Sequence, residues 1–319
     1  MVGITQYKRI SNITTTDFTS TISQDLPLDI LGGIYCELSI VHTNGGSGGP
    51  SLDVNNLMGV ISDCSILVNG SSRRVSLAGY ILPQLSYIAT GQAVESTIVT
   101  TASTQVTSTI GFVIPFANNG PMNNSQSSVR PQDSYLDLRN VAGVETASIQ
   151  IQFANPTITN LTSFDSATLS MTALVNTGIS GPVTYGIREL RYNTITLNST
   201  GTVQLNLPVG GGALNQYKNI LLIGRTSADA LADSLYSDVS LSSLGFDYWR
   251  SDVGPLETIN NYAGIPHTTG IYNLPLYAYS RLTGRLVASD LSQLQLQLTS
   301  SVSNSSVVTV VQDMINFNR

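Results

Sequence analysis

The side chains that could bind a metal or move protons are scarce in this chain. It has only two histidines, His42 and His267, so a histidine-based metal site lacks its usual ligands. Histidine is also the side chain that titrates near neutral pH, and its scarcity weighs against acid–base catalysis. Because His42 continues the apolar run Ile40–Val41, it is predicted to be a structural residue of a strand. We expect no metal, no cofactor and no catalytic residue.

The carboxylates that could act as nucleophiles or bases stand alone. Asp63 lies beside Cys64, and Asp247 lies near Asp252, but neither has a visible base or metal partner in the sequence. A Gly-x-Ser-x-Gly nucleophile elbow followed by a plausible helix is also absent. These observations weigh against a hydrolase.

Two further polar stretches are open to simple interpretations. The loop Asn44–Pro50 is rich in glycine, but it lacks the Gly-Lys-Ser/Thr that ends a phosphate-binding loop. Asp133, Asp137 and Arg139 are spaced for a local salt bridge. We expect that pair to be exposed and to contribute at most ~1 kcal/mol.

Cys36 and Cys64 are too few for a disulfide framework. Both alternate with apolar residues, so they are predicted to be buried thiols, although a bridge between them stays open as a minority alternative. Six asparagines begin Asn-x-Ser/Thr triplets, which a chain this rich in serine and threonine acquires by chance. The six are Asn12, Asn69, Asn123, Asn160, Asn198 and Asn304.

The composition points to a protein that packs against neighbours. Charged residues make up 11% of the 319 residues, against about 25% in a typical soluble domain. The net charge of −6 argues against a reader of duplex nucleic acid, which needs a basic surface. The sequence starts without the apolar core of a signal peptide and has no run long enough to span a membrane. We therefore expect a soluble protein made in the cytoplasm.

Two pairs of similar segments within the chain indicate a duplicated β domain. Ser148–Phe153 (S-I-Q-I-Q-F) and Gln293–Leu298 (Q-L-Q-L-Q-L) both alternate apolar and amide residues, as strands with one buried face do. Ile66–Ser72 and Ile195–Gly201 both end a β-branched run at an asparagine-led turn. The pattern predicts two tandem β domains that meet near Ala154–Asn160.

The remaining elements read as short strands between glycine, proline and asparagine turns, with a few short helices. Residues 1–24 show no clear period, so they are predicted to form an arm that orders only against a partner. The spacing of Ile81, Leu85 and Ile88 before Gly91 predicts a helix over Gly79–Gly91. An all-β sandwich architecture follows.

Two stretches have a distinctive order of elements. In Val60–Gly91, a strand ends in Asn-Gly and a return strand leads to a glycine-led helix. In Pro131–Phe153, Leu-Asp-Leu-Arg precedes the alternating strand. Both stretches resemble double jelly-roll major capsid proteins of the adenovirus–tectivirus lineage of tailless icosahedral viruses, and Gly270-Ile271-Tyr272 and Leu291–Val311 follow a similar order in the second half.

Beyond the arm predicted at 1–24, the resemblance implies two eight-stranded jelly rolls, which we place at 25–155 and 156–319. It implies a pseudo-hexameric homotrimer that assembles with neighbouring capsomers and with minor capsid or penton proteins into an icosahedral virion. Lys8 and Arg9 of the arm could then contact an internal membrane, through its anionic lipid, or nucleic acid inside the shell, although two charges alone are more often part of a solvated arm.

These observations together predict a structural capsid protein that is not an enzyme. A secreted or surface β-sandwich lectin or adhesin is the main alternative, because it would use the same composition to bind sugars through its loops. A β-sandwich hydrolase is a weaker alternative, since no catalytic set is visible.

Overall fold

The computed structural model is built almost entirely from antiparallel strands, and its chain divides into two compact units. It describes residues 4–46, 49–116, 136–177, 187–209, 215–262, 265, 267–276, 286–288 and 291–316. Unit 1 holds the described residues up to Thr177, and unit 2 holds those from Ile187 onward.

Eight main strands form unit 1: β1 (Ile4–Thr15), β2 (Thr21–Asp25), β3 (Ile30–Asn44), β4 (Ile61–Val68), β5 (Ser72–Leu77), β7 (Gln105–Pro115), β9 (Ala147–Phe153) and β10 (Leu161–Thr177). Two shorter strands, β6 (Ser96–Thr97) and β8 (Leu136–Asp137), extend one sheet. The helices of this unit are α1 (Val54–Met58) and α2 (Ile81–Thr90), with a 3-10 turn at Asn140–Ala142.

The main strands of unit 1 form two sheets. One has the order β1-β10-β3-β7, and the other has the order β2-β9-β4-β5. Counting only the eight main strands, these orders are 1-8-3-6 and 2-7-4-5. Apart from the hairpin of β4 and β5, successive strands thus alternate between the two sheets, which is the winding of a jelly roll.

Strand β3 illustrates why these segments form a sandwich. From Ile34 to Ile40 its even-numbered residues are apolar and buried, while Tyr35, Glu37 and Ser39 on the other face are exposed or half-buried. Cys36 lies opposite Met171 of β10 and Phe112 of β7 in the ladder. Each buried side chain of this kind contributes roughly 1.5–3 kcal/mol of transfer free energy, so the alternation fixes which face is the core.

Turn and cap residues of unit 1 follow the sequence prediction. Asn69 and Gly70 both have positive φ (51° and 72°), which a tight hairpin between β4 and β5 requires. Helix α2 ends at Gly91, whose φ of 70° is the left-handed C-terminal cap that glycine adopts without strain. The helix predicted over Gly79–Gly91 is therefore confirmed.

Unit 2 repeats the same winding with its own core. Its strands are β11 (Ile187–Leu197), β12 (Gly201–Asn206), β13 (Asn215–Arg225), β14 (Tyr236–Ser243), β15 (Phe246–Asp252), β16 (Ile271–Leu274), β17 (Leu286–Val287), β18 (Gln295–Ser300) and β19 (Ser306–Asn316). Helix α3 spans Val253–Tyr262. The sheets are β11-β19-β13-β16 and β12-β18-β14-β15, with β17 beside β13. With β17 set aside, the orders are again 1-8-3-6 and 2-7-4-5.

The duplication inferred from the sequence is visible in this strand order, although only one of the two pairs of similar segments lies on equivalent strands. Ser148–Phe153 lies on β9 and Gln293–Leu298 overlaps β18, and these are the seventh main strands of their units. Ile66 and Ile195, in contrast, lie on a fourth strand (β4) and a first strand (β11). That second pair is not equivalent, because any β-branched strand that ends at a polar turn produces such a similarity.

The predicted arm at residues 1–24 is wrong. Strand β1 pairs with β10 from Ile4↔Thr177 to Thr15↔Ala167, and β2 pairs with β9. Ile10 and Ile13 are buried within unit 1. The period was hidden because a register irregularity between these two isoleucines places them three residues apart instead of two.

The predicted boundary between the jelly rolls also differs from the structure. Strand β10 lies in the sheet of unit 1, between β1 and β3, so this unit extends beyond residue 155 to Thr177. Residues 154–160 are the connection between the seventh and eighth strands of unit 1. The Asn155-Pro156 turn signal is therefore a loop within one unit, and the change of unit falls between Thr177 and Ile187.

Candidate functional site

His42 is buried inside unit 1 and its ring is fully hydrogen-bonded. Its Nδ1 lies 2.8 Å from Asn44 Oδ1, and its Nε2 lies 2.9 Å from Ser108 Oγ. Since Asn44 donates its own amide to the carbonyls of Val99 and Thr101, its oxygen accepts from the histidine. Nε2 therefore accepts from the serine hydroxyl, which is the pattern of a neutral imidazole.

Burial lowers the pKa of His42, opposed by its hydrogen bond to Asn44 and by the charge of Asp165. The pKa of Asp165 is itself lowered: burial raises it, but hydrogen bonds from Gln105, Ser163 and Thr43 outweigh that effect. This network fastens the segment before β7 to the end of β3. The structural role predicted for His42 is consistent with this arrangement.

His267 belongs to a half-exposed cluster in unit 2. Its Nε2 lies 3.4 Å from Asp233 Oδ2 and 3.9 Å from Glu257 Oε1. The Tyr272 hydroxyl lies 3.2 Å from Asp233 Oδ1 and 3.4 Å from Glu257 Oε1, and it can donate its proton to one of them at a time. Burial, followed by the charges of the two carboxylates, raises the pKa of Tyr272. The phenol therefore stays protonated and links α3 to the strand β16.

Among the described residues, no group of three or more histidine, cysteine, aspartate or glutamate side chains is arranged to hold a metal ion. Asp63 accepts hydrogen bonds from the hydroxyls of Ser65 and Ser76, the latter at 3.0 Å. Its neighbour Cys64 is a buried free thiol, as is Cys36, and burial raises the pKa of both. The prediction of two buried thiols is confirmed.

The salt bridge predicted near Asp137 is present, but its environment was predicted wrongly. Arg139 binds Asp137 through two parallel hydrogen bonds, Nε–Oδ1 at 2.9 Å and Nη2–Oδ2 at 2.7 Å. The side chains are only 6% and 15% exposed for Asp137 and Arg139, respectively. The pair is buried because β8 pairs with β3 at Ile30 and Leu31. Asp133 lies outside the described residues.

The sequence did not reveal a second buried ion pair, in unit 2. Arg188 of β11 binds Asp313 of β19 through Nε–Oδ1 at 2.8 Å and Nη2–Oδ2 at 2.7 Å. Asn219 of β13 donates a further hydrogen bond to Asp313 at 3.1 Å. Burial raises the pKa of Asp313, but the nearby charges of Arg188 and Lys218 outweigh it and lower the pKa overall. Because these side chains come from strands far apart in the sequence, no local sequence motif predicts the ion pair.

The triplet asparagines act as surface and turn residues. The five that are described, Asn12, Asn69, Asn160, Asn198 and Asn304, are exposed, whereas Asn123 lies outside the described residues. The amide of Asn69 is engaged: its Nδ2 donates to the Gly143 carbonyl at 2.9 Å, and its Oδ1 accepts from the Glu145 backbone at 2.8 Å. This side chain clamps the β4–β5 turn to the loop before β9.

The remaining charged residues discussed in the sequence analysis lie on two edge strands, β1 and β15. Lys8 and Arg9 are on β1, where Lys8 forms an ion pair with Asp29. Asp247 and Asp252 are on β15, and Asp247 lies 3.6 Å from Arg250 in an exposed pair. None of these arrangements has the nucleophile, base and oriented partner of a catalytic site. What the geometry offers instead is a pair of matching sandwiches with exposed edges.

Comparison with known proteins identifies this architecture. No family model and no curated protein matches the sequence. Among solved structures, the STIV major capsid protein aligns with a TM-score of 0.74 at 13% identity, over 98% of this chain and 96% of that one. The major capsid protein P2 of bacteriophage PM2 aligns with a TM-score of 0.63 at 13% identity, over 99% of both chains.

The chain has the double jelly-roll fold.

A third double jelly roll, from the PBCV-1 virus capsid, aligns with a TM-score of 0.63 at 9% identity, over 99% of this chain and 94% of that one. The resemblance drawn from Val60–Gly91 and Pro131–Phe153 is thus confirmed for the fold. Within the described residues, no helix of this double jelly roll is long and apolar enough to cross a membrane.

Proposed function

We propose that this chain is a major capsid protein, a structural subunit that assembles as homotrimers into an icosahedral viral shell. The observation that carries the proposal is the full-length match of both jelly rolls to viral capsid proteins, with 96–99% of the STIV and PM2 chains covered. The match extends over the order of two complete units, so it concerns the whole architecture of those proteins.

The duplicated fold supplies a physical reason for a trimer. Three copies of a chain with two like-wound units present six similar sandwiches around one axis, an outline that tiles a shell in a hexagonal net. Closed cyclic symmetry is the common solution for identical subunits. The low charge of 11% favours broad contact between flanks, because few ions must be desolvated.

The proposed role is structural rather than catalytic. His42, Asp137 and Asp313 are engaged in buried hydrogen bonds and ion pairs that fasten strands to one another. The partners of the trimer would be neighbouring trimers and the minor capsid or penton proteins that close the vertices, in a virion. The membrane contact expected for residues 1–24 required a free arm, whereas β1 and β2 pair with β10 and β9 of unit 1.

The mass of the purified native protein tests this proposal. We expect a stable species of three times the 33.9 kDa of one chain, by native mass spectrometry and by light scattering. Electron microscopy of concentrated or co-expressed material is expected to show closed particles or hexagonal sheets. A monomer at all concentrations that binds immobilised glycans would refute the capsid proposal and favour the lectin alternative.

A further inference from the structure

Among the edge strands of the described residues, β1 and β15 are the longest, and each leaves one edge without a partner strand. Within unit 1, β1 pairs only with β10, and within unit 2, β15 pairs only with β14, as far as the described residues show. An unpaired edge presents backbone N–H and C=O groups that can bind another strand. β1 spans twelve residues and β15 spans seven, long enough for such pairing.

These two edges also expose large aromatic side chains. Tyr7 of β1 is 68% exposed, and its ring lies 6.0 Å from that of Tyr35 on the adjoining sheet face. On β15, Phe246 is 63% and Tyr248 38% exposed, with their rings 5.0 Å apart in a T-shaped arrangement. The edge strands β2 and β12 expose no large apolar side chain among their described residues. Exposed aromatic clusters of this kind mark contact surfaces.

The charges on the two edges are complementary. β1 carries Lys8 and Arg9 and no acidic residue. β15 carries Asp247 and Asp252 against a single Arg250. Asp252 lies opposite Asp238 in the β14–β15 ladder, where two like charges face each other. A basic side chain brought to this edge would relieve that repulsion.

We propose that β15 of one copy of this chain lies along β1 of a second copy, as the contact that builds the oligomer. The inference rests on the proposed function, which requires self-assembly, and it identifies the surfaces. Pairing β1 with another β1 would bring two copies of Arg9 together, since Lys8 is already ion-paired with Asp29. Pairing β15 with another β15 would set four carboxylates against two arginines. A contact of unlike edges is therefore favoured. Each copy then presents two different edges, and such head-to-tail contacts close into a ring of three when the rotation between neighbouring copies is a third of a turn.

A charge-exchange experiment tests the pairing. Arg9→Glu alone, and Asp247→Lys with Asp252→Lys, are each expected to raise the dissociation constant of the oligomer at least about tenfold. Combining all three substitutions in one chain restores opposite charges across the contact and is expected to recover most of the affinity. The matched control is Arg73→Glu, which reverses an exposed arginine on β5 and is expected to leave the affinity unchanged.

A second pair of variants tests the aromatic surface. Replacing Phe246 and Tyr248 together with serine is expected to weaken the oligomer as strongly as the charge reversals do. The control is Val141→Ser, at a 63% exposed apolar residue of unit 1, which is expected to leave the affinity unchanged. Circular dichroism identifies any variant that has unfolded. For wild-type protein, hydrogen exchange then gives an independent reading: amides of β1 and β15 should be slower in the oligomer than in dilute monomer.

The outcomes separate the inference from the proposed function. If the wild-type protein is a trimer, and no substitution changes the mass of the oligomer or the exchange rates of β1 and β15, the edge pairing is overturned and the capsid proposal stays intact. A wild-type monomer at all concentrations would overturn both. Normal trimers that lose binding to phosphatidylcholine vesicles when Phe246 and Tyr248 are replaced would overturn the pairing as well, because that surface would then face lipid.

Discussion

Strand β1 should be essential for folding of unit 1, and Ile13 provides the sharpest test. Its side chain is 1% exposed on a strand that pairs with β10. Replacing a buried isoleucine with alanine costs about 2–5 kcal/mol, while the whole domain is stabilised by only about 5–15 kcal/mol. Ile13→Ala is therefore expected to lower the melting temperature of unit 1 by roughly 4–20 °C, at about 2–4 °C per kcal/mol for a domain of this size.

Truncation extends the same argument. Deleting residues 1–20 removes Ile10, Ile13 and Phe18, and the ring of Phe18 contacts those of Phe153 and Phe164 at 6.4 and 5.7 Å. At about 2–5 kcal/mol for each isoleucine and about 3–5 for the phenylalanine, the loss is at least about 7 kcal/mol. This is comparable to the total stability of a domain. The truncated protein is expected to unfold unit 1.

The assay is thermal unfolding followed by circular dichroism, with hydrogen exchange to locate the change in β3 and β10. Ser11→Ala serves as the matched control, since Ser11 is an exposed neighbour on the same strand. A truncated protein with native circular dichroism and a melting temperature within error of wild type would refute the reasoning. It would mean that β1 adds nothing to the core and behaves as the separate arm that the sequence suggested.

Three further predictions follow from buried groups. Leu296→Ala, in the core between β12 and β14, is expected to lower the free energy of unfolding of unit 2 by about 2–5 kcal/mol in chemical denaturation. Because the folded pKa of His42 lies below its unfolded value of about 6.5, stability should fall as pH drops from about 6.5 toward the folded pKa, and His42→Gln should abolish this loss. Arg188→Met should cost about 3–5 kcal/mol by leaving Asp313 buried without its partner, and adding Asp313→Leu should recover much of it.

Specific results would contradict each of these. An unchanged denaturation midpoint for Leu296→Ala, measured against the exposed Leu244→Ala as control, would mean that the assigned core face is wrong. Equal urea midpoints at pH 7.5 and pH 5 for wild-type protein, or a pH dependence retained in His42→Gln, would remove His42 from the acid response. A double variant of Arg188 and Asp313 no more stable than Arg188→Met would show that the pair is not coupled.

The sequence alone determined the local features of this protein. Alternation in Ser148–Phe153 and Gln293–Leu298 identified two equivalent strands, because a half-buried strand must place every second side chain in the core. Asn69-Gly70 and Gly91 marked a hairpin and a helix end, because few other residues adopt a positive φ at low cost. The ordered pattern of these elements was enough to indicate the double jelly roll.

Only the tertiary structure decided which strands pair and where each unit ends. In a jelly roll the first strand pairs with the eighth, so β1 pairs with β10 although most of the sequence of unit 1 lies between them. A local sequence pattern contains no information about so distant a partner. The register irregularity between Ile10 and Ile13 disguised the two-residue period of β1. The turn signal at Asn155-Pro156 marks a loop, but a loop between two strands of one unit has the same sequence features as a loop between two units. The buried pair Arg188–Asp313 was hidden for the same reason. Its two charges lie in separate strands, and only the ladder of β11 with β19 brings them within hydrogen-bonding distance.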